Sequence, residues 1–221
     1  MNWEKYWDAI ALSKAQLTQV GRVNAPVENT IGQAAEHIAK VLELLPGHQI
    51  LDICCGNGLI TTYLANKGFR MTGVDISRNL IEQAKNANRN INFLQQDALS
   101  LSLNEKFDRQ YIAFSFQYFD TYKKGEKVLQ NMIQLARPGA LIMLADVPDL
   151  ARWGVFYNTV LKKLFYFKQK IMGTQSMGKF WSKKELDSIC ASIGVQGECL
   201  KQPTSMPYSY YRFDYLIRIP V

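Results

Sequence analysis

The stretch Gln49-Ile50-Leu51-Asp52-Ile53-Cys54-Cys55-Gly56-Asn57-Gly58-Leu59-Ile60-Thr61 decides how this chain is read. Ile50, Leu51 and Ile53 form a short apolar run that holds a single acid, Asp52. The run breaks into two cysteines and Gly-Asn-Gly before a helical pattern begins, which reads as strand, tight turn, helix. Gly56 and Gly58 allow positive φ and a close approach of ligand to backbone, and the first turn of the next helix points unpaired N–H groups at the same place. A polar small molecule is expected there, although a glycine pair after a strand is also an ordinary turn.

Outward from this stretch, residues 69–75 read as a second strand ending in Asp75. Residues 92–98 read as a third, containing Asp97, and residues 107–116 as a fourth. Asp52, Asp75 and Asp97 thus fall within or at the ends of successive strands, where an open α/β sheet forms its ligand crevice.

From about residue 30 to 147 the chain resembles the Rossmann-like methyltransferases that use S-adenosylmethionine. Their first motif runs acid, hydrophobic, Gly, x, Gly, x, Gly. Here it reads Asp52-Ile53-Cys54-Cys55-Gly56-Asn57-Gly58, with Cys54 in place of the first glycine. That departure implies that position 54 does not need the left-handed conformation. The resemblance implies that Asp52 and the loop with Cys54, Gly56 and Gly58 lie against the methionine part of the cofactor. It also implies Asp75 and Ile76 at the ribose, Asp97 and Ala98 beside the adenine, and residues 113–115, centred on Phe114, under the cofactor, whose spent form is S-adenosylhomocysteine. A carboxylate suits the ribose, since it accepts hydrogen bonds from two vicinal hydroxyls at once. Arg22 is a candidate for the cofactor carboxylate, or else a solvated surface arginine. The fold implied is doubly wound α/β, with a mostly parallel seven-stranded sheet, a C-terminal antiparallel hairpin and a helical lid insertion.

At 221 residues the chain fits one such domain, and 48% hydrophobic residues can fill its core. We divide it into a cap segment (1–28), a cofactor-binding core (29–147), a basic amphipathic lid (148–181) and a terminal helix with hairpin (182–221). No run of about twenty apolar residues exists to span a membrane, and the N-terminal decapeptide lacks the apolar core of a signal peptide. Cys54, Cys55, Cys190 and Cys199 match no zinc-ligand spacing and no disulfide framework, which points to a reducing cytoplasm and no metal.

Trp3, Tyr6, Trp7 and Ile10 share one helical face, either capping the crevice or packing on the sheet. Asn29 or Thr30 is expected to cap a helix over 31–45, and Ser77 a helix to about 88. Arg137-Pro138-Gly139 reads as a stop before a fifth strand over 141–146. Ser182 to Glu185 reads as a capping box, and strands follow at 195–200 and 208–219.

Residues 151–184 hold eight Lys or Arg and no acid, so the chain's net +7 less these eight leaves −1 for the remainder. Apolar residues from Trp153 to Phe165 recur at spacings of three and four, the mark of an amphipathic helix. Three readings fit: a lid over the acceptor pocket, a surface for an anionic acceptor or a membrane, or a helix packed on the core with a solvated lysine face.

Methyl transfer needs mainly in-line positioning with water excluded. His37 and His48 read as structural. Asp146, at the end of the fifth strand, is the candidate to orient or deprotonate an acceptor. The fourth-strand motif Ala113-Phe114-Ser115-Phe116 lacks the Asn/Asp-Pro-Pro-aromatic pattern of enzymes that methylate base amines, which argues against a nucleic acid. Phe116, Gln117 and Tyr118 then read as acceptor lining. A small-molecule acceptor is favoured, methylated on O or N, such as a sugar or natural-product intermediate. The alternatives are C-methylation of a lipophilic quinone, an NAD(P)-dependent oxidoreductase sharing Asp75, and a catalytically silent cofactor-binding protein. An oxidoreductase would want a third glycine near Thr61. Hydrolase and P-loop motifs are absent from the sequence.

Overall fold

The computed structural model describes residues 1–13, 27–174 and 176–221. Its strands are β1 (Gln49–Ile53), β2 (Arg70–Asp75), β3 (Asn92–Gln95), β4 (Phe107–Ala113), β5 (Ala136–Pro148), β6 (Gln196–Leu200) and β7 (Arg212–Arg218). They form one seven-stranded sheet in the order β3-β2-β1-β4-β5-β7-β6. The first five run parallel, and β7 is antiparallel to both β5 and β6. Strand order reverses between β1 and β4, and the crevice beyond their C-terminal ends is where such a sheet takes its ligand.

The central strands are apolar because both faces are covered: Ile50, Leu51 and Ile53 are fully buried, as is Tyr111 on β4. One layer packs α2 (Val27–Val41), α3 (Leu59–Asn66) and α4 (Arg78–Ala87) against Ile50, Tyr111 and Met143. The other packs α5 (Tyr122–Gln134) and α8 (Lys183–Ser192) against Leu51, Ile112 and Ile142. Ser77 caps α4 by accepting from the Leu80 amide, and Ser182 with Glu185 forms the complete capping box of α8.

Several boundaries differ from the sequence reading. Helix α2 begins at Val27 and ends at Val41, so Asn29 and Thr30 lie inside its first turn rather than capping it. Arg137-Pro138-Gly139 does not stop the chain before β5 but lies within it. Phe107 pairs with Ala136, and the register then shifts before Arg109 pairs with Leu141, so the triplet is taken up by a bulge. β4 ends at Ala113, because Phe114 turns to φ 62°.

The segment after β5 also departs. It forms a short helix, α6 (Trp153–Phe156), then α7 (Val160–Ile171), rather than a single helix. No side chain of α7 is buried, so the reading as a core-packed helix is not realised. Completing the elements, α1 (Trp3–Ser13) lies beside α4. Asp8 accepts from Ser77 Oγ at 2.5 Å and from the Asn79 amide at 3.2 Å, and Gln83 donates to the Ala11 carbonyl at 3.0 Å.

Candidate active site

A cavity of about 360 Å³ opens at the switch point, within the range of small-molecule pockets. Its floor is the turn after β1. Cys54 there has φ 61°, so the expectation that position 54 avoids the left-handed region is wrong. Phe114 after β4 (φ 62°) and Asp146 in β5 (φ 65°) share the conformation, and residues held in it cost of order 1–3 kcal/mol each. At Cys54 the turn is held by the amide of Cys55 donating to the Val74 carbonyl at 3.0 Å, and the Gly58 amide donates to the Cys55 carbonyl at 3.0 Å.

The carboxylate of Asp75, at the end of β2, is fixed by two backbone donors. The Gly56 amide reaches Oδ2 at 2.8 Å and the Ser77 amide reaches Oδ1 at 2.9 Å. Each oxygen keeps a lone pair for a further donor. Burial pushes this acid up to about 6, against the pull of the Ser77 and Gly56 amides. Asp52 accepts from Thr61 Oγ1 at 2.5 Å and Tyr111 OH at 2.8 Å, both on Oδ2, which leaves Oδ1 to serve the cavity. Burial pushes Asp52 up to about 7 despite those two hydrogen bonds. Asp97 accepts from the Leu99 amide at 2.9 Å and starts a single 3-10 turn.

Among the described residues, the wall therefore carries Glu4, Asp52, Asp75 and Asp97 against one cation, Lys124. A chain of net charge +7 thus presents an acidic cavity, which suits a ligand bearing positive charge. Ile76, Leu80, Leu99 and Phe114 supply apolar surface for a flat ring. A Cβ built on Gly56, at φ 58°, meets no atom of the described residues within 4 Å, so this glycine leaves open space over the floor.

Of the positions singled out in the sequence, Asp52, Cys54, Gly56, Asp75, Ile76, Asp97, Ala98, Phe114 and Tyr118 line the cavity. Arg22 lies outside the described residues. Gly58 is not on the wall; it is the N-cap of α3 at φ 76°, and a Cβ there would come within 2.7 Å of Phe93. Phe116 and Gln117 do not line it either. After the turn at Phe114, Phe116 is buried against Phe119 and Trp181, and Gln117 donates to the Phe114 carbonyl at 2.7 Å. Asp146 also fails as a wall residue. A bulge between Leu144 and Val147 turns its carboxylate to Arg212 on β7 at 2.8 Å, beside Gln202 at 3.2 Å. His37 likewise pairs with the buried Asp214 at 2.6 Å.

Trp3 and Trp7, on the helical face expected either to cap the crevice or to pack on the sheet, are wall residues. Both pack on Tyr118, with ring centroids 4.6 and 5.4 Å apart. Ser115, within the expected 113–115 segment, lines the cavity, as do Phe119, Gln96 and Lys124; only its place beside Asp97 would have marked Gln96. None of the described residues of 148–181 lines it.

Residues 50–139 match the model of the methyltransferase-domain family. The chain is 27% identical over 157 residues to the ubiquinone biosynthesis O-methyltransferase of Coxiella burnetii, covering 69% of this chain and 65% of that protein. It is 26% identical over 155 residues to the malonyl-[acyl-carrier protein] O-methyltransferase of Pectobacterium atrosepticum, 68% of this chain and 56% of that one. Among solved structures, the N-methyltransferase NodS of Bradyrhizobium japonicum, in complex with S-adenosyl-L-homocysteine, superposes with a TM-score of 0.69 at 17% identity over 100% of both chains. The chain thus spans 65% of the length of the Coxiella relative.

Sheet order, crevice and acid-ended strands define the Rossmann-like class I architecture. The domain match places residues 50–139 in the methyltransferase-domain family, and the surrounding architecture is that of the class I S-adenosylmethionine-dependent methyltransferases.

Proposed function

We propose that this chain transfers the methyl group of S-adenosylmethionine to a small-molecule acceptor, on oxygen or nitrogen. The observation that carries the reading is Asp75, whose two oxygens are pinned by the Gly56 and Ser77 amides on the wall of an acidic cavity. Asp75 with Ile76 would hold the ribose hydroxyls, Asp97 with Ala98 the adenine, and Asp52 with the Cys54 to Gly56 turn the amino-acid part. The cofactor supplies an already activated, positively charged methyl donor. The acidic wall binds that charge, and the Coxiella, Pectobacterium and Bradyrhizobium relatives, named as O- and N-methyltransferases, support the reaction class.

The chain's own contribution is position and dryness. Trp3 and Trp7 on α1 close over Tyr118 and form an aromatic mouth, so α1 serves as the cap. Burial pushes the Tyr118 hydroxyl up to about 12, which keeps it a hydrogen-bond donor at neutral pH. Burial and the neighbouring carboxylates push Cys54 and Cys55 up, so neither is a thiolate nucleophile. Among the described residues no histidine lines the cavity. Acceptors that arrive as a free amine, or whose hydroxyl or carboxyl ionises readily, therefore fit it best.

The test is incubation with S-adenosylmethionine and separate panels of carboxylate, phenol and amine acceptors, read by mass for the gain of one methylene. Cofactor-dependent gain in one panel is expected. Turnover of nicotinamide nucleotides, without methyl gain in any panel, would contradict the reading.

A further inference from the structure

Helix α7, Val160-Leu161-Lys162-Lys163-Leu164-Phe165-Tyr166-Phe167-Lys168-Gln169-Lys170-Ile171, exposes the side chains that a soluble helix ordinarily buries. Ile171 is 87% exposed, Leu161 79%, Val160 72%, and Leu164 and Phe165 60% each. The inner side of the helix is fixed by Tyr166, whose ring packs on Tyr157 at 4.8 Å and on Trp153 at 5.5 Å. At about 100° per residue, Val160, Leu161, Leu164, Phe165 and Ile171 then fall on one continuous arc facing away from Tyr166. Lys168 sits within that arc, and Lys162 lies on one flank with Lys163 and Lys170 on the other. Contiguous exposed apolar surface of this kind marks an interaction site rather than an ordinary helix surface.

We infer that α7 and its flanks dock this protein on the surface of an anionic phospholipid bilayer. The charge decides the occupant: residues 151–184 carry eight cations and no anion, while the crevice nearby is acidic. A protein partner with an apolar groove would explain the leucines but not a segment of eight cations without an anion. An acidic headgroup layer over hydrocarbon matches both, with the lysine stems lying along the apolar face and the ammonium groups reaching the phosphates. The helix lies on the bilayer and does not cross it. Its 12 residues span about 18 Å, against a hydrocarbon core of about 30 Å. Among the described residues no helix is long and apolar enough to cross a membrane. Because α6 and α7 follow the C-terminal end of β5, the docking face stands on the same rim of the sheet as the crevice. The inference does not depend on methyl transfer.

The experiment is co-sedimentation of the full chain with vesicles of phosphatidylcholine alone, or with about one third phosphatidylglycerol, at low and high salt. Binding to the anionic vesicles is expected to be at least about tenfold stronger and to fall with salt. The variant K162Q/K163Q/K168Q/K170Q should lose that preference. The variant L161S/L164S/F165S should lose binding to both vesicles with an unchanged Tm, since these side chains are exposed. Failure of the wild-type chain to sediment with anionic vesicles overturns the inference, as does wild-type binding by both variants. A dimer in sedimentation velocity that L161S/L164S/F165S converts to monomer, with vesicles ignored, would assign the face to a second copy of the chain and overturn it equally.

Discussion

Thr61, on the first turn of α3, donates its hydroxyl to Asp52 Oδ2 across 2.5 Å. A dinucleotide-binding turn would use a glycine there for close packing of helix on strand; this chain spends the position on orienting an acid. Tyr111 from β4 donates to the same oxygen at 2.8 Å, so three elements converge on one buried carboxylate that borders the cavity.

Replacing the Thr61 hydroxyl while keeping its shape tests this arrangement. Thr61→Val leaves Asp52 with one donor, which should cost about 1–3 kcal/mol of stability. It also removes a hydrogen bond that pulls Asp52 down, so its titration should move further up from about 7. Urea denaturation reads the first effect. A shift to higher pH in the midpoint of cofactor binding reads the second.

Binding and stability should depend on pH with opposite signs. Burial raises Asp52 to about 7 and Asp75 to about 6, from an unfolded value near 3.9. The folded protein without cofactor holds these protons more tightly than the unfolded chain. The contribution of the two acids to its stability therefore declines as pH rises from about 4 through about 7. Cofactor binding uses the ionised forms, so affinity for S-adenosylmethionine should rise over about pH 5–8 and then level off. Titration calorimetry and thermal melts across that range, with and without ligand, check both slopes.

Two glycines of the same turn should separate binding from folding. Gly58→Ala sets a Cβ within 2.7 Å of the buried Phe93 ring at φ 76°, so it should destabilise the fold by about 1–3 kcal/mol. Gly56→Ala meets open space at φ 58°, so it should cost only about 1 kcal/mol of backbone strain but weaken cofactor binding markedly. Chemical denaturation and calorimetry on the pair would show the reversal.

Asp146→Asn distinguishes a structural acid from a catalytic one. It breaks the buried pair with Arg212 at 2.8 Å and leaves that guanidinium uncompensated, for an expected loss of about 3–5 kcal/mol. Affinity for S-adenosylhomocysteine in the folded fraction should stay within about twofold, because Asp146 is not on the cavity wall. Loss of affinity without loss of stability would restore it to the site.

What the sequence made legible was local. Apolar runs that hold Asp52 or lead to Asp75 and Asp97 place β1 and β2 and bring all three acids to one crevice, because parallel strands buried on both faces read as continuous hydrophobic runs. The capping box at Ser182 and Glu185 is equally local, since its partners are three residues apart. Misreadings arose where a bulge or a left-handed residue re-aimed a side chain. Asp146 and the pair Phe116 and Gln117 follow backbone turns at φ 65° and 62° that no spacing rule reveals. The Trp3 and Trp7 contact with Tyr118 joins residues more than a hundred positions apart, and helical periodicity says only that they share a face. The α7 pattern was visible, but periodicity cannot tell a face turned to the core from one turned to solvent.

The central claim, that Asp75 and the Gly56 turn hold the ribose end of S-adenosylmethionine, is tested most directly by calorimetric titration of the wild type and Asp75→Ala. The ligands are S-adenosylmethionine, S-adenosylhomocysteine and NADH. The account predicts that both sulfur ligands bind the wild type and NADH does not. In the variant, loss of a carboxylate shared by two hydroxyls should weaken them at least about a hundredfold, since hydrogen bonds to a charged group contribute about 1.5–3 kcal/mol each. NADH binding alone, or sulfur-ligand binding that Asp75→Ala leaves intact, would contradict it.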